Sequence, residues 1–299
     1  MTTNKYPTIK IIVACHKADP NIRQDDIYMP IQVGKDLHPD IDLGFECDNT
    51  GDNISYKNAS YCELTALYWA WKNLKNVDYI GLCHYRRYFE FNSNWKSIKS
   101  YLCKNKINTV PESLIPEIIG SNEIVLPTFF SKPTSIWTNF EHQVLAQDLY
   151  ITYKIIQQDF PEYLESFEKY LLGNWRTGYN MFIMSYSNFD AYCSWLFSLL
   201  EKVESSVKLS PYSSYQRLFG YLGEILLPVY VQKNKLKIKE KPIVFTGHFS
   251  YKSNIRITTK KKIRNILNSM AFFLSNLPIK KSLYDPYWET YLKNDGIEI

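Results

Sequence analysis

The stretch VDYIGLCHYRRYF, Val77 to Phe89, places one imidazole, two guanidinium groups and two phenols after an apolar run. Such a run is typical of a buried strand, and ligands bind outside the carboxyl ends of strands in open α/β sheets. We therefore expect His84, Tyr85, Arg86 and Arg87 at such an edge. Because arginine forks make bidentate contacts with phosphate oxygens, these residues are candidates for binding a diphosphate.

A second polar strand end follows the first apolar run of the chain, IKIIVACHK. This run is short and rich in β-branched residues, as expected of a central parallel strand. Its end carries His16 and Lys17, which would open onto the same side of the sheet as His84. The alternative is that the arginines are surface ion-pair partners and His84 a core residue, because the chain has no Gly-rich phosphate loop.

The order of patterns along the chain predicts an α/β fold. Ser60 and Glu63 match the capping box of a helix, a strand follows at Tyr79 to Cys83, and further strands and helices alternate to about residue 230. Predicted strands include NEIVLP and YNMFIMS, and predicted helices include one that begins near Phe140 and is ended by Pro161 and a segment that reaches Pro228. We expect one Rossmann-like open mixed sheet flanked by helices in residues 1–250, and a basic C-terminal helical appendage in residues 251–299.

The appendage stands out by its charge. Residues 233–281 hold thirteen Lys or Arg against one acid, Glu240, although the whole chain carries only +5. From Lys260 onward, apolar residues recur at helical spacing behind a cluster of lysines, a pattern typical of a helix on an anionic membrane surface. The alternative is a helix packed on the core with solvated lysines. We do not expect nucleic acid as a partner, because no known binding motif accompanies the charge.

Targeting and cysteine patterns bear on the compartment. The N-terminus lacks the basic start, apolar run and small-residue cleavage site that follow one another in a signal peptide, and no apolar run approaches membrane-spanning length. The six cysteines form no C-x-x-C pair, which favours reduced thiols over a zinc site. We expect a cytoplasmic protein.

Four blocks in order resemble a bacterial family of capsular and exopolysaccharide glycosyltransferases that was long described only as a domain of unknown function. The blocks are ISYKNASYCELTALYWAWKN, DYIGLCHYRRYF, YNMFIMSYSNFDAYCSWLF and RLFGYLGEILL. The resemblance runs from about Ile9 to Val231. It implies a GT-A-like fold, a nucleotide-sugar donor with UDP as the expected nucleotide, and a glycan or lipid-linked acceptor. Some members are associated with galactofuranosyl or galactosyl transfer.

The resemblance also exposes a departure. GT-A enzymes commonly carry Asp-x-Asp at the end of a central strand, where the carboxylates hold Mn²⁺ or Mg²⁺. Here the comparable strand end has His84, Tyr85 and Arg86. We expect cationic side chains, rather than a metal, to stabilise the leaving UDP. His248 remains a candidate metal ligand by position.

Other polar residues are candidates for ligand contacts because of their positions in the sequence. Asp52 and Asn53 follow a glycine in a predicted loop and are candidates for the donor's uridine or ribose, or simply turn formers. His142 and Asn180 are candidates for the acceptor, with an edge-strand turn as the alternative for Asn180. Glu63 is a further acceptor candidate, but the capping box also explains it.

Glu224 is the candidate catalytic base. Inverting transfer needs a carboxylate within reach of the acceptor hydroxyl, and Glu224 lies among glycines and leucines that indicate partial burial. The alternative is an ion pair with Arg217. Two other functional classes stay open, namely a carbohydrate-binding module that uses surface tryptophans and a membrane-binding protein that uses the tail.

Overall fold

The computed structural model of the protein describes residues 7–91, 122–246, 254–276 and 286–297. The strands in these ranges are β1 Ile9–Cys15, β2 Tyr28–Gln32, β3 Glu46–Cys47, β4 Tyr79–His84, β5 Arg87–Phe89, β6 Ile124–Pro127, β7 Phe130–Ser131, β8 Trp175–Arg176, β9 Phe182–Ser185, β10 Ile238–Lys241 and β11 Ile243–Phe245. The helices are α1 Asn58–Tyr61, α2 Leu64–Asn73, α3 Ile136–Phe140, α4 Ala146–Asp159, α5 Leu164–Leu172, α6 Tyr186–Ser206, α7 Ser213–Gln216, α8 Leu218–Lys233, α9 Asn254–Asn276 and α10 Pro286–Asn294.

Nine of the described strands form one mixed sheet, whose main path runs β3-β2-β1-β4-β9-β6-β10. Strand β1 lies parallel to β2 and β4, and β10 lies parallel to β6. Strand β9 is antiparallel to both β4 and β6, so it joins the two parallel groups. Strand β5 folds back antiparallel to β4 and pairs with β11. The prediction of an open mixed α/β sheet flanked by helices is confirmed, whereas the division at residue 250 stays a prediction.

Hydrophobic clusters cover the two faces of the sheet. Successive side chains of a strand point to opposite faces, so Ile12 and Ala14 of β1 belong to the larger cluster, with α2, α6 and α8. Ile11 and Val13 belong to the smaller cluster with Tyr85. This two-sided burial explains why β1 and β4 are recognisable as apolar runs in the sequence.

The helix boundaries differ from the predicted ones in three places. The region predicted as one helix from Phe140 to Pro161 is divided between α3 and α4, with a turn at His142. Pro228 lies inside α8 rather than at its end. The prediction of a capping box is wrong. Cys62 has a φ of 53° and separates α1 from α2, and the Glu63 side chain makes no capping hydrogen bond.

Candidate active site

A polar cavity of about 650 Å³ opens at the carboxyl ends of β1 and β4. The strands are parallel and pair Ala14 with His84, so their ends meet at one edge of the sheet as predicted. The lining combines five Lys or Arg side chains, two imidazoles and two carboxylates with smaller polar and aromatic groups. It comprises Ala14, His16, Val33, Asn58, Ala59, Cys62, Glu63, His84, Arg86, Arg87, Phe130, Lys132, Gln143, Arg176, Gly178, Tyr179, Arg217, Tyr221 and Glu224.

A tight hairpin between β4 and β5 places the two neighbouring arginines. His84 pairs with Arg87, so only Tyr85 and Arg86 form the turn. Both guanidinium groups line the cavity, and that of Arg87 lies 4.4 Å from the ring centroid of Tyr179. Tyr85 was expected to contact a donor, but it is fully buried and is absent from the cavity lining. Its ring supports the site from behind, with the hydroxyl 3.4 Å from Nε2 of His16.

The two imidazoles of the cavity lie side by side, with ring centroids 5.9 Å apart. Burial, and next the charge of Arg87, lower the pKa of His84 to about 3. Burial and then the charge of Arg86 also lower the pKa of His16. Both rings are therefore neutral at neutral pH in the free protein. The expected positive charge at this edge comes from the arginines and a lysine, and the imidazoles offer hydrogen bonds.

Three further cations of the lining, Lys132, Arg176 and Arg217, were not among the predicted site residues. Lys132 and Arg176 come from the short ribbon formed by β7 and β8 and the residue after it, which has no sequence pattern of its own. Arg217 precedes α8, and its Nε lies 3.2 Å from Sγ of Cys62.

Four of the five cations are not engaged by carboxylates. Within the described ranges, Lys132, Arg86, Arg87 and Arg217 form no salt bridge, whereas Arg176 does. Burial is the main cause that lowers the pKa of Lys132, followed by the charge of Arg176. Concentrated positive charge in a partly desolvated cavity is the condition that favours a multiply charged anion.

Glu224 is held by Arg176 rather than by Arg217, so the predicted alternative ion pair is wrong. Nη2 of Arg176 donates to Oε2 of Glu224 at 2.7 Å, and the two side chains are only 8% and 12% exposed. Nη1 of Arg176 also donates to Oδ1 of Asn139 at 2.8 Å. Burial raises the pKa of Glu224, against the opposing effect of Arg176. Pro228 has no N–H for the carbonyl of Glu224 four residues earlier, which loosens the helix at this residue.

Glu63 and Asn180 meet at the base of the cavity. Nδ2 of Asn180 donates to Oε1 of Glu63 at 2.9 Å and to the carbonyl of Gly220 at 2.9 Å. Glu63 lines the cavity, but Asn180 is 2% exposed and does not. The expected contact between Asn180 and an acceptor is therefore replaced by a supporting position behind Glu63.

The other predicted contacts lie outside the cavity. Lys17 is exposed beyond the end of β1. Asp52 accepts a hydrogen bond from the hydroxyl of Tyr68 at 3.2 Å, and Asn53 accepts one from the backbone of Ser55 in the turn-forming manner. His142 is exposed because the chain turns between α3 and α4, and the neighbouring Gln143 lines the cavity instead. The structure therefore does not bring these four residues to the cavity, and their ligand contacts stay predictions.

The donor set at the strand ends does not suit a divalent cation. Mg²⁺ and Mn²⁺ prefer carboxylate and carbonyl oxygens, whereas His84 is followed here by two guanidinium groups. Across the described ranges, no three His, Cys, Asp or Glu side chains are grouped as metal ligands. His248 lies outside the described residues.

The chain is similar to known proteins in two comparisons. A family model described as a domain of unknown function, DUF4422, matches residues 10–235, which include every residue of the cavity lining. No curated protein matches the chain. Among solved structures, the chain is similar to the apo structure of the bifunctional glycosyltransferase WbbM, with 28% identity and a TM-score of 0.69. The match covers 81% of this chain and 46% of that chain, so this chain spans less than half the length of that structure.

Proposed function

The chain belongs to the DUF4422 family, and we propose that it is a glycosyltransferase that uses a nucleotide-diphosphate sugar as donor. The observation that carries the proposal is the cavity at the sheet edge, where four cations without a carboxylate partner in the described ranges adjoin two carboxylates. The likeness to a bifunctional glycosyltransferase supports the same reaction class. The resemblance noted in the sequence further favours a UDP-linked hexose, galactose or galactofuranose, and an oligosaccharide or lipid-linked acceptor in capsule, exopolysaccharide or O-antigen synthesis.

The cationic edge would stabilise the leaving group. Transfer breaks the bond between the anomeric carbon and the β-phosphate oxygen, and negative charge develops on the departing nucleoside diphosphate. Arg86, Arg87 and Arg217, with Lys132, supply fixed positive charge on the cavity wall. Preorganised charges of this kind lower the barrier most in a site that excludes water. His16 and His84, which are neutral in the free protein, add hydrogen bonds to the phosphate oxygens.

The acceptor hydroxyl must lose its proton as its oxygen bonds to the anomeric carbon. If transfer inverts the anomeric centre, we assign the base to Glu224, whose buried carboxylate has a raised pKa and lies on the cavity wall. Arg176 is its positioning residue, because it holds one carboxylate oxygen at 2.7 Å. Glu63, held by Asn180, is the second carboxylate of the cavity and is assigned to the hydroxyl groups of the acceptor.

Two measurements test the donor site. The first identifies the nucleotide that binds, and the second asks whether Arg86 and Arg87 contribute to that binding. Thermal shift against UDP, GDP, CDP and dTDP sugars should show stabilisation by one nucleotide class, because a ligand that binds only the native state raises its stability. Arg86→Ala and Arg87→Ala should each weaken UDP binding by about tenfold or more, as expected for a lost charge-assisted contact. Lys75→Ala, at an exposed lysine beyond α2, is the matched control.

The reaction class is tested separately by slow release of UDP from the UDP-sugar that binds. Hydrolysis or transfer that is lost in Glu224→Gln would support an enzyme. Nucleotide binding without any turnover across a panel of acceptors would instead indicate a binding module. Unchanged UDP affinity in both arginine variants would reject the assignment of the donor site.

A further inference from the structure

Helix α9 faces the protein with its polar side. Asn265 and Asn268 lie next to β7, where the hydroxyl of Ser131 donates to the carbonyl of Asn265 at 2.8 Å and Nδ2 of Asn268 donates to the carbonyl of Ser131 at 2.8 Å. A helix that packs on a hydrophobic core turns its apolar stripe inward. The orientation of α9 is the reverse, so hydrophobic burial against the body does not explain its sequence.

The opposite side of α9 presents a continuous apolar stripe to solvent. Six large side chains of this stripe are each more than half exposed, namely Ile263 52%, Ile266 61%, Leu267 58%, Met270 57%, Phe273 65% and Leu274 63%. Isolated exposed apolar residues are normal, but a contiguous patch marks an interaction surface.

Basic and aromatic groups frame this stripe. Lys260, Lys261, Lys262 and Arg264 are exposed at one end of the apolar segment. Trp175, 47% exposed, joins Met270 and other residues of the helix around an open apolar groove of about 660 Å³. A basic, apolar and indole-bearing surface is complementary to the headgroups and outer acyl chains of an anionic bilayer.

A two-stranded ribbon connects this surface with the cavity. Strands β7 and β8 pair Phe130 with Arg176 and Ser131 with Trp175. Because side chains alternate across a strand, Phe130 and Arg176 line the cavity, while Ser131 and Trp175 lie on the side of α9. The surface and the candidate active site are therefore the two faces of one ribbon.

We propose that α9 and Trp175 form a surface that binds an anionic lipid bilayer, with the helix lying along the headgroups on the cytoplasmic face of the plasma membrane. No helix among the described residues is long and apolar enough to span a membrane. The consequence for substrate rests on the proposed function: a cavity held one ribbon away from the bilayer suits an acceptor carried on a membrane lipid.

The test is co-sedimentation of the full chain with vesicles of phosphatidylcholine alone or mixed with equal phosphatidylglycerol. The wild type should bind the anionic vesicles and should lose affinity as salt is raised. Replacing Lys260, Lys261 and Lys262 with Gln should lower that affinity by about a hundredfold, since each basic residue contributes about fivefold near such a surface. The binding to neutral vesicles should not change in this variant.

A second variant tests the apolar stripe. Ile266→Gln/Met270→Gln/Phe273→Gln keeps good helix formers on the exposed side and should lower binding to anionic vesicles by at least a hundredfold, because the apolar side chains can no longer enter the acyl boundary. Leu209→Ser/Tyr212→Ser is the matched control, since these residues are 43% and 72% exposed outside α9. Equal loss in the control would overturn the proposal.

Two outcomes would overturn the proposal, and the second of them would identify a different occupant. Absence of vesicle binding by the wild type overturns the proposal. So does concentration-dependent dimerisation in sedimentation velocity that the triple Gln variant abolishes, because the stripe would then bind a second copy. UDP binding in solution, without vesicles, reports on the proposed function independently. If the protein binds vesicles but no nucleotide, the membrane-binding surface is supported and the assignment of the donor site is rejected.

Discussion

Replacing Arg176 by Met should lower the free energy of unfolding by about 3–5 kcal/mol at neutral pH, because it leaves the Glu224 carboxylate buried without its partner. The pair has the geometry that such a loss requires, with a 2.7 Å contact and side-chain exposures of 8% and 12%. Methionine keeps most of the volume of the aliphatic stem, and what it removes is the guanidinium group, whose carbon lies 4.6 Å from the ring centroid of Phe140. The cost therefore reflects charge rather than a cavity.

The double variant Arg176→Met/Glu224→Gln separates the two causes. Neutral Gln needs no counter-ion, so the double variant should recover most of the loss, with a coupling energy of about 2–3 kcal/mol. The pH dependence has a definite sign. Burial already raises the pKa of Glu224, and removal of Arg176 takes away the charge that most opposes this rise. The deficit of Arg176→Met should shrink as the pH falls from 7 towards the ordinary carboxyl range, because Glu224 then takes up a proton in the folded state.

Urea unfolding followed by tryptophan fluorescence at pH 7 and pH 5 measures both effects. Lys202→Met is the matched control, because it breaks the 2.9 Å pair with Asp159, in which the side chains are 48% and 41% exposed. That exposed pair should contribute about 1 kcal/mol or less. A loss for Arg176→Met no larger than for Lys202→Met, or one that does not change with pH, would refute the account of Glu224 as a buried carboxylate that depends on Arg176.

Three further outcomes are expected. Glu224→Gln should lower kcat by about 10²–10⁴-fold with UDP affinity intact. Glu63→Gln should chiefly raise KM for the acceptor. Normal turnover by Glu224→Gln would remove Glu224 from the mechanism. UDP affinity should increase as the pH falls below 7 more steeply in the wild type than in His84→Gln, because the pKa of His84, about 3 in the free protein, rises beside a bound anion. Titration calorimetry in two buffers checks the accompanying proton uptake, and equal slopes would contradict it. Turnover after exhaustive EDTA treatment should match untreated enzyme, and activity restored only by Mn²⁺ or Mg²⁺ would defeat the cationic assignment.

The part of the site that could be predicted from sequence is the part carried by adjacent parallel strands. Strands β1 and β4 are buried on both faces, so their apolar runs are visible, and their register brings the following polar residues to one edge. The imidazoles and both arginines of the hairpin therefore line the cavity as expected. The β7–β8 ribbon could not be found this way, because each strand has two residues and their pairing joins distant segments.

Local motifs failed where long-range contacts decided the conformation. The Ser60–Glu63 spacing matches a capping box, but the left-handed backbone at Cys62 breaks the helix between them. Glu63 is then free to accept the hydrogen bond from Asn180, which lies 117 residues away in the chain. The position of Asn180 also explains why residue 223 is a glycine, because a Cβ there would lie only 2.7 Å from Oδ1 of Asn180.

These contacts divide the cavity's charges into two groups. Each carboxylate has its own donor, since Arg176 of β8 holds Glu224 and Asn180, in the turn before β9, holds Glu63. One cation is thereby committed to an acid, whereas the other four have no carboxylate partner within the described ranges and face the cavity. The neutral imidazoles add no charge until an anion arrives. Under the proposed function, this arrangement would keep the positive charge for a bound diphosphate and the acids oriented for the acceptor, which is the separation that transfer between an anionic donor and a neutral hydroxyl requires.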